Sequence, residues 1–324
     1  MAVSRREADV ADLVARARVS DPRAVARLIS LVENDSPTLR AVAAALAPYG
    51  GHAQVVGLTG SPGVGKSTST SALVAALRAD GKRVGVLAVD PSSPFSGGAL
   101  LGDRVRMQDH ATDDRVFIRS MASRGQLGGL SAAVPQALRV LDAAQCDVVL
   151  VETVGVGQAE VEIASLADTT IVLMAPGMGD GIQAAKAGIL EIADIFVVNK
   201  ADREGADQVA RDLRYMQSLG GRHSESGAWR PPIVKTVASR SEGIDDVVAA
   251  IAKHCDWMSR HGELARRRTA RAAAEIESIA LGQIRRRFAG VHGSAALDAS
   301  AARVVAGEID PYRAADDLVA SLSD

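Results

Sequence analysis

The chain predicts an α/β protein: a doubly wound, mostly parallel sheet, preceded by small helices and followed by a helical arm. Three observations carry that prediction. Short β-branched runs (VVGLT, RVGVLAVD, RVFIRSM, DVVLVET, TTIVLMAP, IFVVNKAD and PIVKTVAS) alternate with helical stretches from Val55 to about Ala252. Runs this apolar suit strands covered on both faces, and helices between them imply parallel crossovers. On either side the pattern turns purely helical.

The elements follow in order. Residues 1–50 place Ala, Val and Leu among Arg, Asp and Glu at helical spacing. Ser20-Asp21-Pro22 reads as a helix start, a polar cap followed by a proline whose fixed φ suits the first turn, and Ser36-Pro37 repeats the signal. Gly50-Gly51 marks a break, so the extension is set at 1–50 and the sheet domain at 51–255. Residues 256–324 form the arm. Its stretch ELARRRTARAAAEIESIALGQIRRRF carries few apolar residues, chiefly Leu264, Ile276, Ile279 and Phe288. A long polar helix of this kind either pairs with a second copy or lies as a solvated surface helix. Its cluster Arg266-Arg267-Arg268 lacks aromatic interleaving and has acids close by, which argues against nucleic acid.

Bulk composition narrows the class. The 324 residues are 47% hydrophobic and 23% charged, with a formal net charge of −2, so no global field favours nucleic acid or an anionic membrane. Aromatics are only 3%, leaving Val, Leu, Ile and Ala to build the core. Cys146 and Cys255 match no metal or redox spacing. The N-terminus is charged from the start, and no apolar run is long enough for a bilayer; the expectation is a cytoplasmic protein with no membrane partner.

Chemistry enters at GSPGVGKST, Gly60–Thr68, which fits G-x-x-x-x-G-K-[ST] between a strand and a helix. Gly60, Gly63 and Gly65 let the backbone curl so that N–H groups of the loop, with Pro62 and Val64 between them, face phosphates. The helix N-terminus adds positive potential. Lys66 is expected to reach the β- and γ-phosphates, Ser67 to ligate Mg²⁺, and Thr68 to complete the phosphate loop. Acids for the metal are Asp90 and Glu152 at strand ends, and Asp103 in a glycine-rich connection, where it could equally face solvent. In VETVGVGQAE, Val151–Glu160, Glu152 is followed by Gly155, whose N–H is the expected phosphate sensor.

NKAD, Asn199–Asp202, follows a strand directly. Guanine offers N1–H and N2–H₂ on one edge, a donor pair that the Asp202 carboxylate can accept. Adenine would leave that carboxylate unpaired. Asn199 would hold the neighbouring loop and N7, the stem of Lys200 would cover the ring face, and a backbone N–H in KTVAS, at Ala238, could contact O6. These features point to GTP and GDP as substrate and product.

Taken together, GSPGVGKST, VDPSSPFSGGALLGDRVRM, VETVGVGQAE, PGMGDGIQAAKAGILEIAD and NKAD resemble the methylmalonyl-CoA mutase-associated GTPases of the MeaB/ArgK type, similar to the human methylmalonic aciduria type A protein. The resemblance extends over nearly the whole chain, including DPYRAADDL at Asp310–Leu318. It implies a SIMIBI-like P-loop GTPase domain and a homodimer built through the C-terminal arm. It also implies a chaperone role toward an adenosylcobalamin-dependent acyl-CoA mutase, with GTP hydrolysis gating cofactor delivery and protecting or reactivating the mutase. By motif position it assigns Lys66 and Ser67 to phosphates and Mg²⁺, and surrounds the metal with Asp90, Asp103 and Glu152. It further implies a partner-sensing switch at Asp180, Gln183 and Lys186. Gly181 stands where the family usually carries an acid, and Val237 replaces a small polar residue in the base loop.

Gln158 lies two positions beyond the spot where Ras-type proteins keep the water-orienting glutamine, since Val156 follows Gly155. Either it is completed by the partner, making basal hydrolysis slow, or it caps the following helix. Competing functions are a nickel-insertion GTPase, an ATP-dependent transport-system kinase, and a scaffold that binds GTP without useful hydrolysis. The nickel reading wants clustered His or Cys, and His52, His110, His223, His254, His261 and His292 are scattered.

Overall fold

The computed structural model describes residues 5–34, 36–90, 107–110, 112–122, 133–153, 159–177, 189–219, 227–288 and 295–321. Each apolar run named above becomes a strand: β1 (Gln54–Thr59), β2 (Val84–Asp90), β3 (Val116–Ala122), β4 (Val148–Thr153), β5 (Thr169–Met174), β6 (Ile195–Val198) and β7 (Ile233–Lys235). They form one sheet in the order β3-β2-β4-β1-β5-β6-β7, and every neighbouring pair is parallel. The expected sheet is therefore parallel throughout.

Alternation along the strands explains the layers, because successive side chains point to opposite faces. Val56, Leu58, Leu150, Ile171 and Leu173 pack against α4 (Lys66–Ala79) and a later helix, Ile244–Arg260. Their neighbours Val55, Val149 and Val151 face the opposite layer, in one cluster with Val14, Leu28, Ile29 and Leu46. Those last four come from α1 (Arg5–Arg18), α2 (Pro22–Glu33) and α3 (Leu39–Leu46). The N-terminal helices thus share a core with the sheet. Further along the same layer, Val172, Phe196 and Val198 pack with Val209 and Leu213 of the helix Ala206–Leu219.

Local signals explain the helix starts. Asp21 caps α2 by accepting from the N–H groups of Arg23 (2.9 Å) and Ala24 (3.4 Å), with Pro22 at the first position. The second signal acts two residues later than Ser36-Pro37: α3 begins at Leu39, and the Ser36 hydroxyl is spent on Thr38 Oγ1 at 2.9 Å.

The chain divides into two compact units, residues 1–268 and 269–324. The sequence-based boundary at residue 255 falls inside the helix Ile244–Arg260, and the helix Glu263–Phe288 begins within the first unit. In the second unit Ile276, Ile279, Leu281 and Ile284 are exposed on that helix, which is followed by helices Ala295–Val305 and Pro311–Ala320. Among the described residues no helix is long and apolar enough to cross a membrane.

Candidate nucleotide site

β1 lies at the centre of the sheet, and the loop after it runs straight into α4. Parallel strands bring their C-terminal ends to one edge, so the loop, Glu152, Asp90 and Asn199 gather there. Two glycines are demanded by geometry. Gly60 has φ 143° and a Cβ there would collide with the carbonyl of Leu173, while Gly65 has φ 98° and a Cβ would strike Asn199 Nδ2. Gly65 also precedes the first turn of α4 without any side-chain cap, leaving the helix N-terminus open to an anion. Of the other loop residues, Val64 is buried in the core, and Pro62, Gly63 and Thr68 are exposed.

Lys66 is nearly buried and its ammonium donates to the carbonyls of Gly60 (2.5 Å) and Ser61 (3.2 Å). It therefore bridges the start of the loop from the helix end, where phosphate oxygens would be presented. Glu152 follows from strand alternation: it shares the face of Val148 and Leu150, against which α4 packs. Only 1% exposed, it accepts from Ser67 Oγ at 2.6 Å and from Thr70 Oγ1 at 2.9 Å. Glu152, expected among the acids for the metal, is in direct contact with Ser67.

The base-reading motif is tied to the phosphate loop. Asn199, 3% exposed, donates from Nδ2 to the Val64 carbonyl at 2.8 Å. Its Oδ1 accepts from Thr236 Oγ1 and from the Ala238 N–H, each at 3.1 Å. Lys200, at φ 56°, extends its ammonium to the Gly63 carbonyl at 2.6 Å. Ala238 was expected to offer its N–H to guanine; here that N–H is engaged by Asn199. Asn199 thus ties its own loop to the loop that carries Val64. Asp202 stands apart from this buried set, its side chain 41% exposed and one oxygen 3.9 Å from Arg240 Nη2.

Not all expected residues can be placed. Asp90 ends β2 at this edge, but its side chain, like Asp103, Gly155, Gln158, Asp180, Gln183 and Lys186, lies outside the described residues. Thr70 and Arg240 were missed. Thr70 had a readable signal, since it lies three residues after Ser67 on the same helix face. Arg240 had none, because its approach to Asp202 crosses between two loops.

The donor chemistry fits Mg²⁺. Ser67 and Glu152 offer a hydroxyl and a carboxylate, both hard oxygen donors, within one hydrogen bond of each other. Among the described residues no group of three or more His, Cys, Asp or Glu could hold a metal ion. A hydroxyl and a carboxylate are donors Mg²⁺ accepts when nucleotide phosphates and water complete its shell.

Opposite this edge, the strand starts carry a second polar cluster. Asp194 accepts both guanidinium nitrogens of Arg267 (2.8 and 2.9 Å) and the Thr170 N–H (2.8 Å). Arg268 pairs with Asp168 at 2.9 Å, whose carboxylate also takes the Val55 N–H. His254, fully buried, meets Thr169 Oγ1 at 2.9 Å and lies 3.3 Å from Asp194. Burial, with Arg267 nearby, pushes the His254 imidazole down to about 4 despite the opposing pull of Asp194. Arg267 and Arg268 are thus spent on partners within the protein, while Arg266 is exposed beside Glu263.

Comparison with known proteins agrees with this arrangement. A family model described as methylmalonyl-CoA mutase-associated GTPase MeaB matches residues 25–292. A protein of Pyrococcus abyssi named as a GTPase is 48% identical over 305 residues, 94% of each chain. GTPase ArgK of Escherichia coli is 38% identical over 80% of each chain. The mitochondrial methylmalonic aciduria type A homolog of Caenorhabditis elegans is 34% identical over 76% of this chain and 65% of its own. A crystal structure titled LAO/AO transport system kinase superposes with a TM-score of 0.72 at 26% identity, covering 100% of both chains. With the loop Gly60–Thr68, Glu152 and Asn199 gathered at one sheet edge and the family model spanning most of the sequence, the chain belongs to the methylmalonyl-CoA mutase-associated GTPase family, MeaB.

Proposed function

We propose that this GTPase is Mg²⁺-dependent and acts as a chaperone for an adenosylcobalamin-dependent acyl-CoA mutase of the methylmalonyl-CoA type. In this reading, hydrolysis is slow in the isolated protein and stimulated by the mutase, and gates cofactor delivery and mutase protection or reactivation. The protein works in the cytoplasm as a homodimer joined through the arm at 256–324, with neither nucleic acid nor membrane as partner.

The observation that carries the chemical half is the buried Ser67–Glu152 contact at 2.6 Å, set at the N-terminus of α4. Phosphoryl transfer to water needs in-line positioning and charge neutralisation more than covalent chemistry. Ser67 gives its proton to Glu152, so its oxygen lone pairs are free to face the nucleotide side. Bound Mg²⁺ would supply charge neutralisation to the β- and γ-phosphates there, held by Ser67 with Asp90, Asp103 and Glu152 around it. Lys66 brings a second positive charge to the same oxygens, and Gly155 offers an N–H to the γ-phosphate. Asp202 selects guanine, with Asn199 and Lys200 locking the base loop to the phosphate loop. Gln158 stands off the usual catalytic position, and Asp180, Gln183 and Lys186 sense the partner that completes the site.

The chaperone half rests on family membership. It is tested by copurification with purified methylmalonyl-CoA mutase in GDP and in a non-hydrolysable GTP analogue. A complex whose stability differs between the two nucleotides is expected. No association in either state overturns the chaperone assignment while leaving the GTPase chemistry intact.

A further inference from the structure

The geometry points to Thr70 as a positioning residue that sets the Glu152 carboxylate for Ser67, and through Ser67 for the Mg²⁺ of the nucleotide. This rests on the Mg²⁺-dependent reading above and extends it to a residue outside the G-x-x-x-x-G-K-[ST] pattern.

A threonine inside a helix ordinarily turns its hydroxyl back to the carbonyl four residues earlier. Thr70 does lie 3.0 Å from the Lys66 carbonyl, but the same oxygen is 2.9 Å from Glu152 Oε2. A hydroxyl has one proton. An ionised carboxylate is the stronger acceptor, since charge-assisted hydrogen bonds are roughly twice as strong as neutral ones. Thr70 is fully buried, so water does not compete for that proton.

The two oxygens of Glu152 are consequently held separately, Oε1 by Ser67 at 2.6 Å and Oε2 by Thr70 at 2.9 Å. Two-point attachment fixes the plane of the carboxylate and stops rotation about the bond that carries it. With Oε1 fixed, the Ser67 proton has one acceptor direction, and the remaining lone pairs of Ser67 Oγ keep one orientation. Without Thr70, Glu152 keeps its contact with Ser67 but loses a restraint on its plane. The expected loss is therefore in how well Ser67 holds the metal, with the nucleotide contacts of Lys66 and the loop N–H groups left in place. Thr70 touches none of the reacting atoms; it acts through Glu152.

The test is a Mg²⁺ titration of fluorescent GDP binding to the full chain, comparing wild type with Thr70→Val, Thr70→Ala and Thr70→Ser. Valine keeps the shape and removes the hydroxyl, alanine guards against a valine that packs badly, and serine restores the proton. The half-saturating Mg²⁺ concentration should rise about tenfold in Thr70→Val and Thr70→Ala, the scale of one lost charge-assisted hydrogen bond. It should return to within about twofold of wild type in Thr70→Ser, while GDP affinity in EDTA stays the same in all four. Equal Mg²⁺ titrations for wild type and both hydroxyl-free variants overturn the inference. So does a loss in EDTA as large as that in Mg²⁺, which marks Thr70 as a general packing residue. If wild type itself shows no Mg²⁺ dependence, the failure lies with the metal reading beneath it.

Discussion

The two edges of the sheet carry polar clusters of similar burial and opposite purpose. At the C-terminal edge, Ser67 and Thr70 satisfy Glu152 with two hydroxyls, and Asn199 bonds Val64, Thr236 and Ala238 with its amide. At the N-terminal edge, Asp194 and Asp168 set full charges against Arg267 and Arg268, with the buried imidazole of His254 beside Asp194. The first cluster lies beside a helix N-terminus that no side chain caps, where backbone N–H groups remain to meet an anion. The second closes on itself and ties the start of the helix Glu263–Phe288 to the sheet. Similar burial therefore serves ligand chemistry at one edge and anchorage at the other, and variants should separate the two.

The largest effect is expected at the anchoring edge. Asp194→Ala strips the bidentate partner from Arg267 and leaves a partly buried cation, a change that typically costs about 3–5 kcal/mol. Chemical denaturation should show that loss, and nucleotide affinity of the folded fraction should stay unchanged. A fall in affinity alongside would erase the distinction between the edges.

His254 gives the same edge a pH signature. Its folded value is about 4 against an ordinary 6.5, so the unfolded state binds the proton more readily. The stability it contributes is complete above pH 6.5 and is lost as pH falls toward 4. The full span corresponds to about 3 kcal/mol. Denaturation between those limits should be steeper with pH in wild type than in His254→Leu, with Asp194, Arg267, Glu263 and Asp168 present in both. Parallel curves would show that the imidazole does not titrate across folding.

The nucleotide edge should respond in the opposite way. Lys66→Ala removes the cation that bridges the loop carbonyls of Gly60 and Ser61, and GTP binding by calorimetry should weaken about 100-fold, more than the melting temperature without nucleotide reflects. Asp202→Asn should lower the preference for GTP over ATP by about tenfold, since the amide no longer accepts both guanine donors. Equal wild-type affinity for the two nucleotides would remove the guanine assignment altogether.

The same contrast explains what could be read from the sequence. The strands were legible because each is a β-branched run, buried on both faces in β1, β4, β5 and β6 and only partly buried in the outer strands β3 and β7, and Asp21-Pro22 because a cap acts within four residues. The phosphate loop and NKAD were legible because their chemistry is local to one turn. The anchoring edge was not. Arg267 finds Asp194 across 73 positions and Arg268 finds Asp168 across 100, and no periodicity encodes such pairs. Read locally, those arginines look like a surface patch. Thr70 was half legible: its place on the helix face of Ser67 could be read, but its carboxylate partner could not, because β4 delivers Glu152 from 82 positions away. Ala238 shows the converse, a residue correctly placed at the base loop whose N–H turns to Asn199 rather than outward.

The central claim is that this GTPase keeps an incomplete hydrolytic site which its mutase completes. The direct measurement is single-turnover GTP hydrolysis by the wild-type protein, alone and with an adenosylcobalamin-dependent methylmalonyl-CoA mutase. The account predicts slow hydrolysis alone and a rise of about tenfold or more with the mutase, equivalent to at least about 1.4 kcal/mol of barrier. Fast hydrolysis alone that the mutase leaves unchanged would contradict it.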